Sequence, residues 1–302
     1  MPKTAKSAQS KLKARRSKKG APPEPVVDVV VEAEPDLTVE APSEFRPLAD
    51  AQGTVTRQLL EELWHGESPF LFADPRQKDD GYPNTNIQPD LVEAILITLH
   101  PAFWLEVGTM IGGSAIAVSA AVKRLALQTS ICCIDPFTGD VNMWDWEKEK
   151  KATGEWSYLK LEAGRPTIYE RFLANVRVQG HEDIIVPLPV TSIVGMRLIE
   201  RLVAQGRLNQ LPAVIYHDAA HEPGETLLEL QTAWSILQPG GVLFGDDWLW
   251  PSVRGDVQSF ARTITADTGR MVDFLRHFEE SQLEGNVFLY RGQWVLFKPA
   301  GE

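Results

Sequence analysis

From Phe103 onward, short apolar runs alternate with longer amphipathic stretches, and this rhythm constrains the fold more than any other feature of the 302-residue chain. Strands are expected at Trp104–Val107, Ser130–Ile134, Ile184–Val186, Ala213–His217 and Gly241–Gly245. Helices are expected at Ser114–Leu127, Thr167–Val178, Ile193–Gln205 and Glu225–Leu237, with Val253–Thr268 after the fifth strand. Gly or Pro closes most of these helices or opens the next strand, as in "LQPGG". Brief, apolar runs between amphipathic helices predict parallel strands covered on both faces. "MVDFLRHF" and "NVFLYRGQWVLFKP" read as late strands, with an antiparallel pair at or near the sheet edge. The class is α/β, built on a doubly wound, mostly parallel sheet.

Three segments stand apart from the alternation. Residues 1–47 begin basic and turn acidic and Pro/Val-rich, which predicts a disordered tail with at most a short strand at Val26–Val31. Residues 48–100 form an N-terminal helical or cap region around "TVTRQLLEELWHG" and "QPDLVEAILITLHP", leaving 101–302 as the main domain. Residues 136–164 make a long connection carrying Trp144, Trp146, Trp156 and Tyr158, expected to act as a substrate lid.

The formal net charge is −11, but the first 20 residues hold eight Lys or Arg and no acid, leaving the body near −19. So acidic a body argues against a broad nucleic-acid footprint. No apolar run reaches the roughly 18 residues of a membrane span, and no signal-peptide core opens the chain. Cys132 and Cys133 are adjacent on a predicted strand and point to opposite faces, so no disulfide is implied and a cytoplasmic location is expected.

Chemistry-bearing residues fall at strand ends. "FWLEVGTMIGGS" runs from a strand through a glycine turn into a helix. The spacing Gly108, Gly112, Gly113 departs from G-x-G-x-x-G, with Met110 where a second glycine should stand. Glu106 would repel phosphate and favour a cation, so a nucleoside bearing an amino group and a sulfonium suits the turn; S-adenosylmethionine is such a molecule. Asp135 ends the second strand, where an acid commonly accepts from ribose hydroxyls. Asp218 ends the fourth strand, and Asp246 and Asp247 end the fifth. On neighbouring strands these ends lie about 5 Å apart. Three converging carboxylates would repel unless a cation or a proton neutralised them, and hard oxygen ligands suit Mg²⁺ or another divalent ion. His221, three residues past Asp218, is a candidate general base, and Trp248 and Trp250 are candidates to wall the acceptor. His217 should point away from Asp218; His65, His100, His181 and His277 show no partner pattern.

Together "FWLEVGTMIGGSAIAVS", "ICCIDPF", "VIYHDAAHE" and "LQPGGVLFGDDW" resemble the class I S-adenosylmethionine-dependent methyltransferases, specifically the methyltransferase-24 type, which includes sugar and small-molecule O-methyltransferases. The resemblance covers about Pro89 to Pro299, and the aromatic that usually follows the histidine is replaced by "EPGE". It implies a Rossmann-like, seven-stranded sheet with antiparallel C-terminal strands. It also implies cofactor-binding roles for Glu106, Gly108, Ser114, Asp135 and Ser192, with Thr191 beside the adenine. Catalytic roles would fall to Asp218 and His221, and metal-binding roles to Asp218, Asp246 and Asp247. The expected activity is methyl transfer to a hydroxyl of a small molecule or sugar, assisted by a divalent cation, in a chain that self-associates. The alternatives are a non-catalytic or accessory binder of the same cofactor and a dinucleotide-dependent oxidoreductase.

Overall fold

A computed structural model describes residues 54–79, 85–145 and 158–301. The tail 1–47, its Val26–Val31 strand, and Trp146 and Trp156 of the long connection lie outside the described residues. The first apolar run is a strand, β1 (Phe103–Val107), and every residue in it is buried. Its side chains alternate between two cores. Phe103, Leu105 and Val107 join one cluster with Cys132, Ile134, Ile215 and Leu243. Trp104 joins the other with Cys133, Tyr216 and Phe244. Both cysteines are free, on opposite faces, as the strand period requires.

Four more parallel strands follow: β2 (Ser130–Ile134), β3 (Ile185–Leu188), β4 (Val214–His217) and β5 (Val242–Gly245). The full order is β3-β2-β1-β4-β5-β8-β7-β6, an eight-stranded sheet, one strand more than expected. β6 (Gln282–Glu284), β7 (Val287–Tyr290) and β8 (Gln293–Phe297) are antiparallel, with β8 inserted between β5 and β7. The additional strand is β6, three exposed residues joined to β7 by Gly285 and Asn286. Gly285 takes φ +60°, which glycine adopts without strain.

Helices cover both faces. On the Trp104 side lie α2 (Pro89–Leu99), α3 (Gly113–Arg124), α5 (Ile168–Val178) and α9 (Thr268–Leu275), contributing Ile95, Val122, Phe172 and Phe274. On the Leu105 side lie α1 (Thr54–Trp64), α6 (Ser192–Ala204), α7 (Glu225–Ile236) and α8 (Pro251–Ala261), contributing Leu59, Ile199, Leu230 and Phe260. Each such side chain stabilises the fold by about 1.5–3 kcal/mol on leaving water. One short helix, α4 (Val141–Trp144), sits in the connection after β2.

Two expectations at the C-terminal side are corrected. The helix starting near Val253 ends at Ala261 instead of Thr268. "MVDFLRHF" contributes to α9 instead of forming a strand. Asp267 caps α9 by accepting from the Arg270 N–H, and Met271 and Phe274, three residues apart, bury one face. Phe274 packs on Phe297 of β8 with ring centroids 5.3 Å apart. No helix among the described residues is long and apolar enough to cross a membrane.

Candidate functional site

The C-terminal ends of β1, β2, β4 and β5 open onto one cavity of about 680 Å³, a size suited to a small-molecule ligand. Gly108, Ser114, Asp135, Ser192, Asp218, His221, Asp246 and Asp247 all line it, as does Thr191. Glu106 does not. It is fully buried behind the glycine turn, where Ser114 Oγ donates to its Oε1 at 2.7 Å and its Oε2 has no partner. Burial pushes its carboxyl up to about 7.

The turn itself is built by close approach. Gly108 takes φ +83°, and a Cβ there would lie 2.0 Å from the Asp218 carbonyl oxygen. The glycine lets the end of β1 pass against the end of β4, where Asp218 N–H donates to Val107 O at 2.8 Å. Asp135 reaches back from β2 to brace the same turn. Its Oδ2 accepts from the Thr109 and Met110 N–H groups at 2.9 and 2.8 Å, and its Oδ1 from Phe137 N–H at 2.6 Å. Burial raises the Asp135 carboxyl, and these three backbone donors work in the opposite direction.

The acidic wall is different. Asp218, His221 and Asp247 each offer a ligand atom within 4.8 Å of the others'. Asp246 lines the cavity but stands outside this close group, so the tight trio is two aspartates and a histidine instead of three aspartates. The backbone explains the exchange. Asp247 takes φ +62°, turning the chain sharply past β5 and swinging Asp247 toward His221. His221 Nε2 lies 2.7 Å from Asp247 Oδ2. Its Nδ1 lies 3.0 Å from Asp140 Oδ2, at ion-pair distance but off the direction of a hydrogen bond. Burial pulls the imidazole down, yet Asp140 and Asp247 outweigh it and lift it to about 10. His221 is therefore an imidazolium at neutral pH in this arrangement, and must lose a proton before it can accept one.

Burial, then the facing carboxylates of Asp246 and Asp247, push Asp218 up to about 8. Tyr216, two residues earlier on the same strand face, donates its hydroxyl to Asp218 Oδ2 at 3.3 Å. Asp246 is raised by burial, with the Asn86 side chain hydrogen-bonded to it and lowering it in part.

Four site residues were not singled out from the sequence. Asp140 lies in the long connection, Asn86 in the loop before α2, and Tyr216 was hidden in an apolar strand; only its period-2 offset from Asp218 signals it. Glu229, on α7, reaches the cavity wall while its Oε2 lies 2.6 Å from His217 Nε2. His217 thus points away from Asp218, as the strand alternation requires. Trp248 is buried among the Leu105-side core, so it does not wall the cavity, whereas Trp250 lies beside His221, its ring tilted 40° at a centroid distance of 5.0 Å. Two other histidines serve local structure: His100 closes α2 in a left-handed conformation, and His181 Nδ1 lies 2.9 Å from Ser119 Oγ.

Residues 105–248 match the model of a family described as a methyltransferase domain. An O-methyltransferase from Bacillus cereus, solved in complex with SAH, is similar over 81% of this chain and 98% of its own, at 10% identity and a TM-score of 0.42. The O-methyltransferase TomG from Streptomyces achromogenes, involved in tomaymycin synthesis and solved with SAM, is similar over 72% of this chain and 82% of its own, at 13% identity and a TM-score of 0.43. No curated protein matches the sequence. Over residues 105–248, just under half of its length, the chain is thus similar to a family described as a methyltransferase domain.

Proposed function

We propose that the protein transfers a methyl group from S-adenosylmethionine to a hydroxyl of a small molecule or sugar, with a divalent cation, Mg²⁺ or a similar ion, assisting. The grouping of Asp218, His221 and Asp247 across one cavity from the glycine turn carries this reading. When bound, the sulfonium cofactor supplies an activated methyl group. Its nucleoside would lie along the turn, with Asp135 toward the ribose and Thr191 and Ser192 toward the base. Asp135 already accepts three backbone bonds, and a carboxylate has about four acceptor positions, so it keeps room for one hydroxyl. Glu106, held by Ser114, would brace the turn from behind instead of touching the ligand.

The acidic wall fits a cation. Asp218 and Asp247 offer oxygen and His221 offers nitrogen, with Asp246 beside them, and the crowding that raises Asp218 is what a positive ion relieves. A bound cation would lower the pKa of an acceptor hydroxyl. Asp218 and His221 would orient that hydroxyl and take its proton, His221 once it has given up its own. Catalysis would be mainly alignment in a cavity from which water is excluded. The start of the long connection would cover the acceptor, since Val141 and Met143 of α4 line the cavity.

Calorimetry with S-adenosylhomocysteine, with and without Mg²⁺, tests the donor side. Transfer of a labelled methyl group to a panel of phenols, sugars and aliphatic alcohols tests the acceptor side. Failure of S-adenosylhomocysteine to bind would sink the reading. Binding without turnover on any panel member, with or without the cation, would favour an accessory role.

A further inference from the structure

Asp140 contributes a carboxylate to the acidic wall from a part of the chain with no strand-end logic to place it there. It sits six residues past Ile134, the end of β2, in the connection leading into α4. Its two oxygens divide their work. Oδ1 accepts from the Asn142 and Met143 N–H groups at 2.9 and 3.2 Å and so caps α4. Oδ2 faces His221 Nδ1 at 3.0 Å. On the other side of the ring, Nε2 is engaged by Asp247 at 2.7 Å. The imidazole is thus held between a carboxylate of the connection and a carboxylate of the close group, with Trp250 against its face.

We propose that Asp140 is a positioning residue for His221: it anchors the ring from the connection side, so that the ring can release Asp247 to a cation without leaving the site. A ring tethered only to Asp247 would compete with the cation for the same oxygen. A ring with a second anchor, the ion pair to Asp140, keeps its place when Asp247 turns to the ion. The same contact ties the placement of α4, and hence of Val141 and Met143 on the cavity wall, to the state of the acidic group. This inference rests on the cation reading of the site.

A double-mutant cycle on the full chain separates the roles. Asp140→Asn keeps helix-capping ability, since Asn and Asp cap comparably, but removes the charge facing the ring. Mn²⁺ serves as the probe, titrated by calorimetry into wild type, Asp140→Asn, His221→Ala and the double variant. Melting temperature and S-adenosylhomocysteine affinity report on folding, and His221→Gln replaces the alanine variant if that one melts early. Asp140→Asn is expected to weaken Mn²⁺ binding roughly tenfold when His221 is present and less than about threefold when it is absent. Equal weakening in both backgrounds would mean that Asp140 acts by charge alone, and no weakening in either would mean that it only caps α4; each overturns the proposal. Absence of Mn²⁺ binding by wild type overturns both this proposal and the cation reading on which it rests. Loss confined to the variants leaves that reading standing.

Discussion

On the glycine-turn wall of the cavity, Asp135 is surrounded by three backbone N–H donors and Glu106 by the Ser114 hydroxyl. Across the cavity, Asp218 faces two further carboxylates and receives only a long bond from Tyr216. Both walls carry acids at strand ends of one sheet, yet neutral donors meet Asp135 and one oxygen of Glu106, whereas burial and facing carboxylates load Asp218. The contrast shows how one residue type does two jobs. Acids held by fixed backbone donors shape a binding surface. Acids left facing one another keep a reserve of unfavourable charge that a cation or a proton relieves.

The two walls can be separated by mutation. Asp218→Ala should cut methyl transfer on the order of a thousandfold while leaving S-adenosylhomocysteine affinity within about threefold. Because it also removes repulsion, its melting temperature at pH 8 should hold or rise; equal loss of turnover and cofactor affinity would erase the distinction between the walls. Gly108→Ala strikes the point where they join, with a Cβ driven 2.0 Å from Asp218 O at φ +83°. It should cost at least about 3 kcal/mol, read by chemical denaturation. Ser114→Ala leaves the buried Glu106 with no hydroxyl donor and should cost about 1–3 kcal/mol by the same measurement, with little change in cation affinity.

The smallest effect is in pH dependence. Glu106 rises from 4.5 to about 7 and Asp218 from 3.8 to about 8 on folding. The folded protein therefore holds these protons where the unfolded chain has released them, and stability falls as pH rises through that window. His221, raised from 6.5 to about 10, adds stability below its unfolded value that is lost as pH climbs toward its folded one. Melting curves should decline with rising pH in EDTA and flatten when Mg²⁺ is added, and Glu106→Gln should remove only the lower part of the slope. A flat profile in EDTA would contradict the loaded wall.

The sheet was legible because β1 to β5 are buried on both faces, which leaves uninterrupted apolar runs bounded by turns. Asp135, Asp218 and Asp246 were legible for a related reason: a parallel strand must end at the same edge as its neighbours. The α9 segment was not, because Met271, Val272 and Phe274 fit either a strand or a helix, and the deciding cap, Asp267, looks like any loop acid. His221 stands in the close group where Asp246 was expected, beside an Asp247 whose left-handed backbone no pattern announces. Asp140 was out of reach for a different reason. Its place depends on how residues 135–141 turn after β2 toward the end of β4, and such a turn leaves no local periodicity.

The latch between β5 and β8 has a temporal consequence. Trp294 Nε1 donates to Asp246 O at 3.0 Å, and Trp248 N–H donates to Gly292 O at 3.0 Å, so the final hairpin grips the segment bearing Asp246 and Asp247. Among the described residues, that hairpin follows every other strand in the chain. The segment bearing Asp246 and Asp247 is therefore fastened later in synthesis than the turn at Gly108, whose neighbours β1 and β4 have already been made.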